Sequence, residues 1–246
     1  MAEWAQVFTN AQGIVTMCES LRDKYQNLVD TATPPNMGSQ KPPVVLSHLP
    51  IVSPKLPERP MRQNEERLTL TYCSRLSGQK GPRCEAWLRA IALLPTASQY
   101  RIVVLGGGSY LRQLKRVAND LSLVVEFTEM VPDTAPYLNR TDVLTGAGYA
   151  LIEGLVRGCV GIGLGFGGCF GAITPDRLSA AIAVNFGDHC PRPLPADPAH
   201  IAAALQEAIA LCGTPFAQET TNRCRRIFDP TRIAQNLLQC WEEALG

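Results

Sequence analysis

The sequence predicts an α/β chain: a Rossmann-like parallel sheet with helices on both faces. Three observations carry this expectation. From Arg67 onward, short apolar runs alternate with stretches whose apolar residues recur at helical spacing. The connections between them are short, which with this alternation means parallel strands joined by right-handed crossovers. Several apolar runs also end in glycine: Gly106, Gly107 and Gly108; then Gly146 and Gly148; then Gly165, Gly167, Gly168 and Gly171. In sheets of this class ligands sit beyond the carboxyl ends of the strands.

In chain order, Gly13–Met17 reads as a short strand, and Ser20 with Asp23 three residues on reads as the cap of a helix running to Val29. Between Asp30 and Arg62 stand eight prolines (34, 35, 42, 43, 50, 54, 57 and 60), too many for a helix or a central strand. That stretch reads as extended linker, with Val44–Leu46 as its one short strand. Strands are then expected at Leu68–Cys73, Tyr100–Leu105, Leu123–Phe127, Asp142–Thr145 and Cys159–Leu164. Helices are expected at Cys84–Leu94, Tyr110–Leu121, Thr134–Leu138, Ala150–Arg157, Pro198–Leu211, Pro215–Phe228 and Pro230–Leu245. The last carries Ile233, Leu237, Leu238 and Trp241 on one face. Ala180–Phe186 is an apolar run that suits a strand or a helix end. There is no internal repeat.

The bulk numbers bound function. A chain of 246 residues, 46% hydrophobic, can bury a sizeable core. Its net charge of +1 creates no overall field for nucleic acid or an anionic membrane. No apolar run is long enough for a transmembrane helix, and MAEWAQVF does not read as a secretory signal. The nine cysteines are scattered, with no CxxC pair and no zinc spacing, so they read as reduced thiols in a cytoplasmic protein.

Four features carry chemistry. After the first strand of the regular region comes SRLSGQKGPR, which sets Arg75 and Lys80 at the ligand-facing edge, two cations suited to a diphosphate. A solvated polar loop is the plainer alternative. The triple glycine at 106–108 suggests a dinucleotide fingerprint, but Leu111 stands where its third glycine belongs. Glu126, 20 residues after Gly106, keeps a nicotinamide-type reading open, as does a tight turn with no ligand. The segment Thr141–Arg177 is the most informative. A glycine turn at Gly146 to Gly148 lets backbone N–H groups approach an anion, and Glu153 on the following helix can reach a ribose hydroxyl. The glycines from 165 to 171 read as a second such loop. The histidines at 48, 189 and 200 lie far apart and read as surface or capping residues.

Taken in order, SRLSGQKG, VVLGGGSYLRQL, VVEFTEMVPD and LNRTDVLTGAGYALIEGLVRG resemble the C-terminal half of a GT-B glycosyltransferase of the glycosyltransferase 4 (group 1) type, over roughly Arg67 to Ala210. The string QGIVTMCESLRDKYQ resembles the end of that family's N-terminal domain. The resemblance implies four parts: residues 1–30 as a remnant of the N-terminal domain, 31–66 as the linker, 67–229 as the nucleotide-sugar-binding domain and 230–246 as a C-terminal helix.

It also implies residue roles. Arg75, Lys80, Gly146 and Gly148 would hold the donor diphosphate, Glu153 the ribose, and Phe127, Thr128 and Met130 would border the base. The partner is a nucleoside-diphosphate sugar as substrate, with no cofactor and no metal, the diphosphate charge being met by cations and backbone N–H groups. Two departures stand out. The family commonly carries a second glutamate eight positions before the helix acid, where this chain has Thr145. The acceptor domain is also largely missing, so the chain is a fragment, a donor half that pairs with an acceptor subunit or with itself, or a truncated relative. No catalytic residue follows from the sequence. A non-catalytic nucleotide-sugar-binding module and a nicotinamide-dependent oxidoreductase are the alternatives. The segment Trp4–Val29 and the terminal helix are expected to pack on each other or to present an apolar face for dimerisation.

Overall fold

In the computed structural model, residues 11–32, 41–51 and 67–245 are described. The N-terminal part forms a small unit: β1 (Ile14–Thr16), α1 (Glu19–Ala32) and β2 (Val44–Leu46), with β1 and β2 paired in parallel. The remainder is built on β3 (Thr69–Cys73), β4 (Arg101–Leu105), β5 (Val125–Glu129), β6 (Val143–Gly146), β7 (Val160–Gly165) and β8 (Gly168–Ala172). Their order in the sheet is β5-β4-β3-β6-β7-β8, all neighbours parallel except the β7–β8 hairpin. From β3 the chain winds outward through β4 to β5, then returns to lay β6 on the other side of β3. The switch point therefore falls between the carboxyl ends of β3 and β6, where a sheet of this kind opens a crevice.

Central strands buried on both faces have little room for polar residues. All five residues of β3 are buried, and the hydroxyls of Thr71 and Thr141 satisfy each other at 2.7 Å. On one face pack α2 (Lys80–Ala92), α3 (Leu111–Asp120) and α7 (Pro198–Leu211), around Trp87, Leu88, Ile91 and Leu205. On the other pack α4 (Ala135–Leu138), α5 (Gly148–Val156), α6 (Leu178–Ala183) and α8 (Pro215–Ile227), around Leu151, Leu155 and Phe186. The terminal helix α9 (Pro230–Leu245) buries Ile233 but leaves Leu238 and Trp241 exposed. Helix α1 lies against β1, β2 and α6. Residues 4–10 of the segment expected to meet α9 lie outside the described residues, as do 33–40 and 52–66 of the proline-rich stretch.

Three local expectations change, and one open alternative is decided. Strand β5 starts two residues later than its apolar run, because Ser122 turns left-handed (φ 54°) and Leu123 N–H bonds back to Ala118 O of α3 at 2.9 Å. Helix α1 begins before Ser20: Arg22 N–H donates to Cys18 O at 3.0 Å, so Ser20 lies inside the first turn. The apolar run at 180–186 is a helix end, and Asn185, Phe186 and Gly187 then turn with positive φ. The glycines from 165 to 171 form the β7–β8 hairpin rather than an anion loop. A Cβ on Gly165 would lie 2.6 Å from Asp188 N, and one on Gly168 would lie 2.2 Å from Leu194 O. These glycines let the segment after α6 close onto the hairpin.

Candidate functional site

The carboxyl ends of β3 and β6 bring Lys80 and Gly148 to the same place. Lys80 lies within the expected loop segment SRLSGQKGPR but opens α2, which begins four residues before the expected Cys84. Its Nζ lies 3.2 Å from Asp188 Oδ2 and 4.6 Å from the centre of the Phe166 ring. The pair is largely buried, with 16% of the Lys80 side chain and 10% of the Asp188 side chain exposed. Asp188 Oδ1 accepts the Phe166 N–H at 3.1 Å. Across the gap, Gly148 begins α5 with φ +58°, and a Cβ there would lie 3.2 Å from Asn185 Nδ2 and 3.6 Å from Asp188 Oδ2. Lysine, hairpin N–H and the positive end of a nine-residue helix thus converge on one carboxylate. Gly146 is needed for a closer approach still: a Cβ there would sit 2.9 Å from Cys73 O.

Glu153 lies in the second turn of α5, with 18% of its side chain exposed. Its Oε2 accepts the Thr134 hydroxyl at 2.9 Å, and Oε1 lies 3.5 Å from Arg157 Nη2. Arg157 also donates to Asn139 Oδ1 at 3.0 Å. The acid is therefore fixed between α5 and the loop after β5. Its carboxylate has lone pairs left for hydroxyl donors. Burial pushes the neighbouring Cys73 thiol up to about 12, with the charge of Glu153 adding to the effect. Burial also lowers the pKa of His189, beside Asp188.

The other expected residues are more scattered. Arg75 is exposed and makes no ion pair among the described residues. Phe127 is half-buried against the α2–α3 core, with Lys115 Nζ 6.0 Å from its ring centre. Thr128 bonds to Glu129 O at 3.2 Å, and Met130 is exposed beside Gly107. Asp188, Asn185, Phe166 and Thr134 were not anticipated. Only Asp188 left any trace in the sequence, as an acid next to a histidine.

The nicotinamide-type geometry does not form. Glu126 is the second residue of β5 and pairs with Arg101 at the amino end of β4, the edge away from Gly106. The glycines at 106–108 pack on the protein's own loop: a Cβ on Gly106 would meet Ser74 O at 2.1 Å, and one on Gly108 would meet Leu76 O at 2.5 Å. What forms there is a tight turn packed against the loop after β3. Among the described residues no three His, Cys, Asp or Glu side chains gather as a metal set, and no helix is long and apolar enough to cross a membrane. A large cleft of about 1590 Å³ lies at the amino ends of the strands, lined by Arg67, Arg101, Arg140 and Glu126. Ligands of such sheets bind at the opposite edge.

No family model and no curated protein matches this chain. Solved structures do. A glycosyltransferase from Rickettsia africae ESF-5 superposes with a TM-score of 0.67 at 14% identity, covering 100% of this chain and 68% of its own. Anabaena HepE in complex with UDP and glucose gives 0.66 at 14% identity, covering 99% of this chain and 68% of its own. The pneumococcal O-GlcNAc transferase GtfA in complex with UDP and GlcNAc gives 0.62 at 15% identity, covering 97% and 47%. The chain is thus shorter than each of these relatives in shape. With its mostly parallel six-stranded sheet, switch point and flanking helices, the chain has the Rossmann-like α/β fold of the GT-B glycosyltransferases.

Proposed function

We propose that the chain is the donor-binding half of a glycosyltransferase, which holds a nucleoside-diphosphate sugar and transfers the sugar to an acceptor hydroxyl when an acceptor domain is supplied. The observation that carries this reading is Lys80 facing the N-terminus of α5 across the β3–β6 switch point. A cation and a helix N-terminus opposed across such a crevice suit a diphosphate, and the charge that grows on it as a leaving group needs such donors. Arg75 would add two-point contacts from the same loop, and the backbone at Gly146 and Gly148 would line the phosphates. Glu153 would take the ribose hydroxyls, and the loop from Phe127 to Met130 would border the base. These roles need no metal or cofactor. Two of the similar structures were solved with UDP, which fits the same partner here. We place the protein in the cytoplasm, its partner a separate acceptor subunit or a second copy.

Calorimetric titration with UDP, GDP, ADP and NAD tests the reading. One nucleoside diphosphate should bind at micromolar concentration. Lys80→Ala and Glu153→Gln should each weaken it at least about tenfold, the size expected for one charge-assisted hydrogen bond. Binding of NAD alone, or of none of the four, would overturn it. Product analysis with added acceptors separates an enzyme from a non-catalytic binding module.

A further inference from the structure

We propose that Asp188 makes this site discriminate a nucleoside-diphosphate sugar from the free nucleoside diphosphate, an inference that rests on the donor-binding reading above. Asp188 Oδ2 lies 3.2 Å from Lys80 Nζ and within 3.6 Å of where a Cβ on Gly148 would stand. Any phosphate oxygen that Lys80 holds is therefore a near neighbour of this carboxylate.

The two ligands differ at that place. The free diphosphate ends in a phosphoryl group with an extra negative charge. In the sugar ester that charge is replaced by a ring carrying hydroxyl donors. A carboxylate accepts hydrogen bonds and cannot donate them, so it repels the first and receives the second.

The carboxylate is held in position rather than free to swing away. Its Oδ1 takes the Phe166 N–H at 3.1 Å, and only a tenth of the side chain is exposed. The turn of positive φ from Asn185 to Gly187 delivers it, and glycine at 165 leaves room for its backbone. The β6–α5 turn offers no acid for the purpose: only Ala147 separates strand from helix, and Thr145 before it is fully buried, its hydroxyl without a hydrogen-bond partner among the described residues. Asp188, more than 40 positions further along the chain, supplies the carboxylate that faces this turn.

The test is a ratio of affinities measured on the full chain by calorimetry, with the pairs UDP and UDP-glucose, GDP and GDP-mannose, and ADP and ADP-glucose. In the wild type the sugar ester should bind more tightly than its free diphosphate. Asp188→Asn should shift the ratio toward the free diphosphate by about tenfold or more, as expected when one like charge a few ångströms away is removed. Asp188→Ser removes the same charge, should shift the ratio the same way, and serves if the Asn variant does not fold. An unchanged ratio, including an equal loss for both ligands as a merely structural role would give, overturns the inference. If Lys80→Ala weakens both ligands while Asp188→Asn leaves the ratio alone, the donor reading stands and the role of Asp188 falls. If the folded wild type binds no member of any pair, both fall.

Discussion

The Lys80–Asp188 pair should contribute to folding far more than its length suggests, and a second ion pair provides the control. Lys115 Nζ and Glu129 Oε1 are also 3.2 Å apart, but those side chains are 50% and 63% exposed, against 16% and 10% for Lys80 and Asp188. Removing one partner of a fully buried pair costs about 3–5 kcal/mol, because the other charge stays in low dielectric. Asp188 keeps the Phe166 N–H and some contact with solvent, so Lys80→Ala should cost about 2–3 kcal/mol. Lys115→Ala should cost less than about 0.5 kcal/mol, as exposed pairs do. Urea unfolding reads both as shifts in the midpoint at constant slope. Adding Asp188→Asn to Lys80→Ala should return about 1–2 kcal/mol, the coupling expected of residues in contact. Equal costs at the two lysines, or strict additivity in the double variant, would refute the claim that burial sets the value of this pair.

Two further predictions concern the core. The buried thiols of Cys73 and Cys224 are raised from 9.0 to about 12, both mainly by burial. Folded values above the unfolded one mean stability that is complete below pH 9 and is lost between pH 9 and 12, since the unfolded thiols ionise first. Each contributes a fall of about 1.4 kcal/mol per pH unit, about 2.7 together. Denaturation under reductant from pH 9.5 to 11 should show it, with a slope shallower by nearly that amount in the Cys73→Ala, Cys224→Ala double variant. An equal slope in that variant would sink the assignment. Separately, Gly106→Ala should cost about 3 kcal/mol or more, since its φ is +133° and its new Cβ would meet the backbone oxygen of Ser74 at 2.1 Å. Gly154→Ala meets the flexible end of Leu144 at 2.1 Å and should cost about 1–2 kcal/mol. Thermal melts that rank the two the other way would refute this ordering.

Five of the six strands were legible because each carries its own apolar run and each crossover helix its own period, whereas the glycine-rich β8 read as a loop. Thr69–Cys73 and Arg101–Leu105 fall within a residue of their runs. Lys80 was legible as a residue at the right edge because strand β3 fixes where its loop must end. What stayed hidden depends on contacts far apart in sequence. Asp188 shows in the sequence only as an acid beside His189, since it reaches Lys80 only after the chain has passed through β7, β8 and α6 and turned with positive φ. Glu126 misled for the opposite reason. Its spacing from Gly106 was right, but Ser122 and Leu123 were taken up in a turn, so β5 began late and left the acid at the wrong edge.

The glycines illustrate why composition alone ranks a site poorly. Glycine permits close approach, but the approaching group can be a ligand or the protein itself. At Gly106, Gly108, Gly165 and Gly168 the nearest atoms to an added Cβ belong to the chain: Ser74 O, Leu76 C and O, Asp188 Oδ1 and Leu194 O. These positions hold the first loop against the second and the segment after α6 against the hairpin. The second of these contacts brings Asp188 to Lys80 and Gly148. The cation and the glycine turn alone would accept any compact anion. A carboxylate fixed between them turns the same crevice against the most highly charged anions and toward one that brings hydroxyls. On this view selectivity at the switch point comes from an acid delivered by packing, and the glycines serve the site by making that packing close.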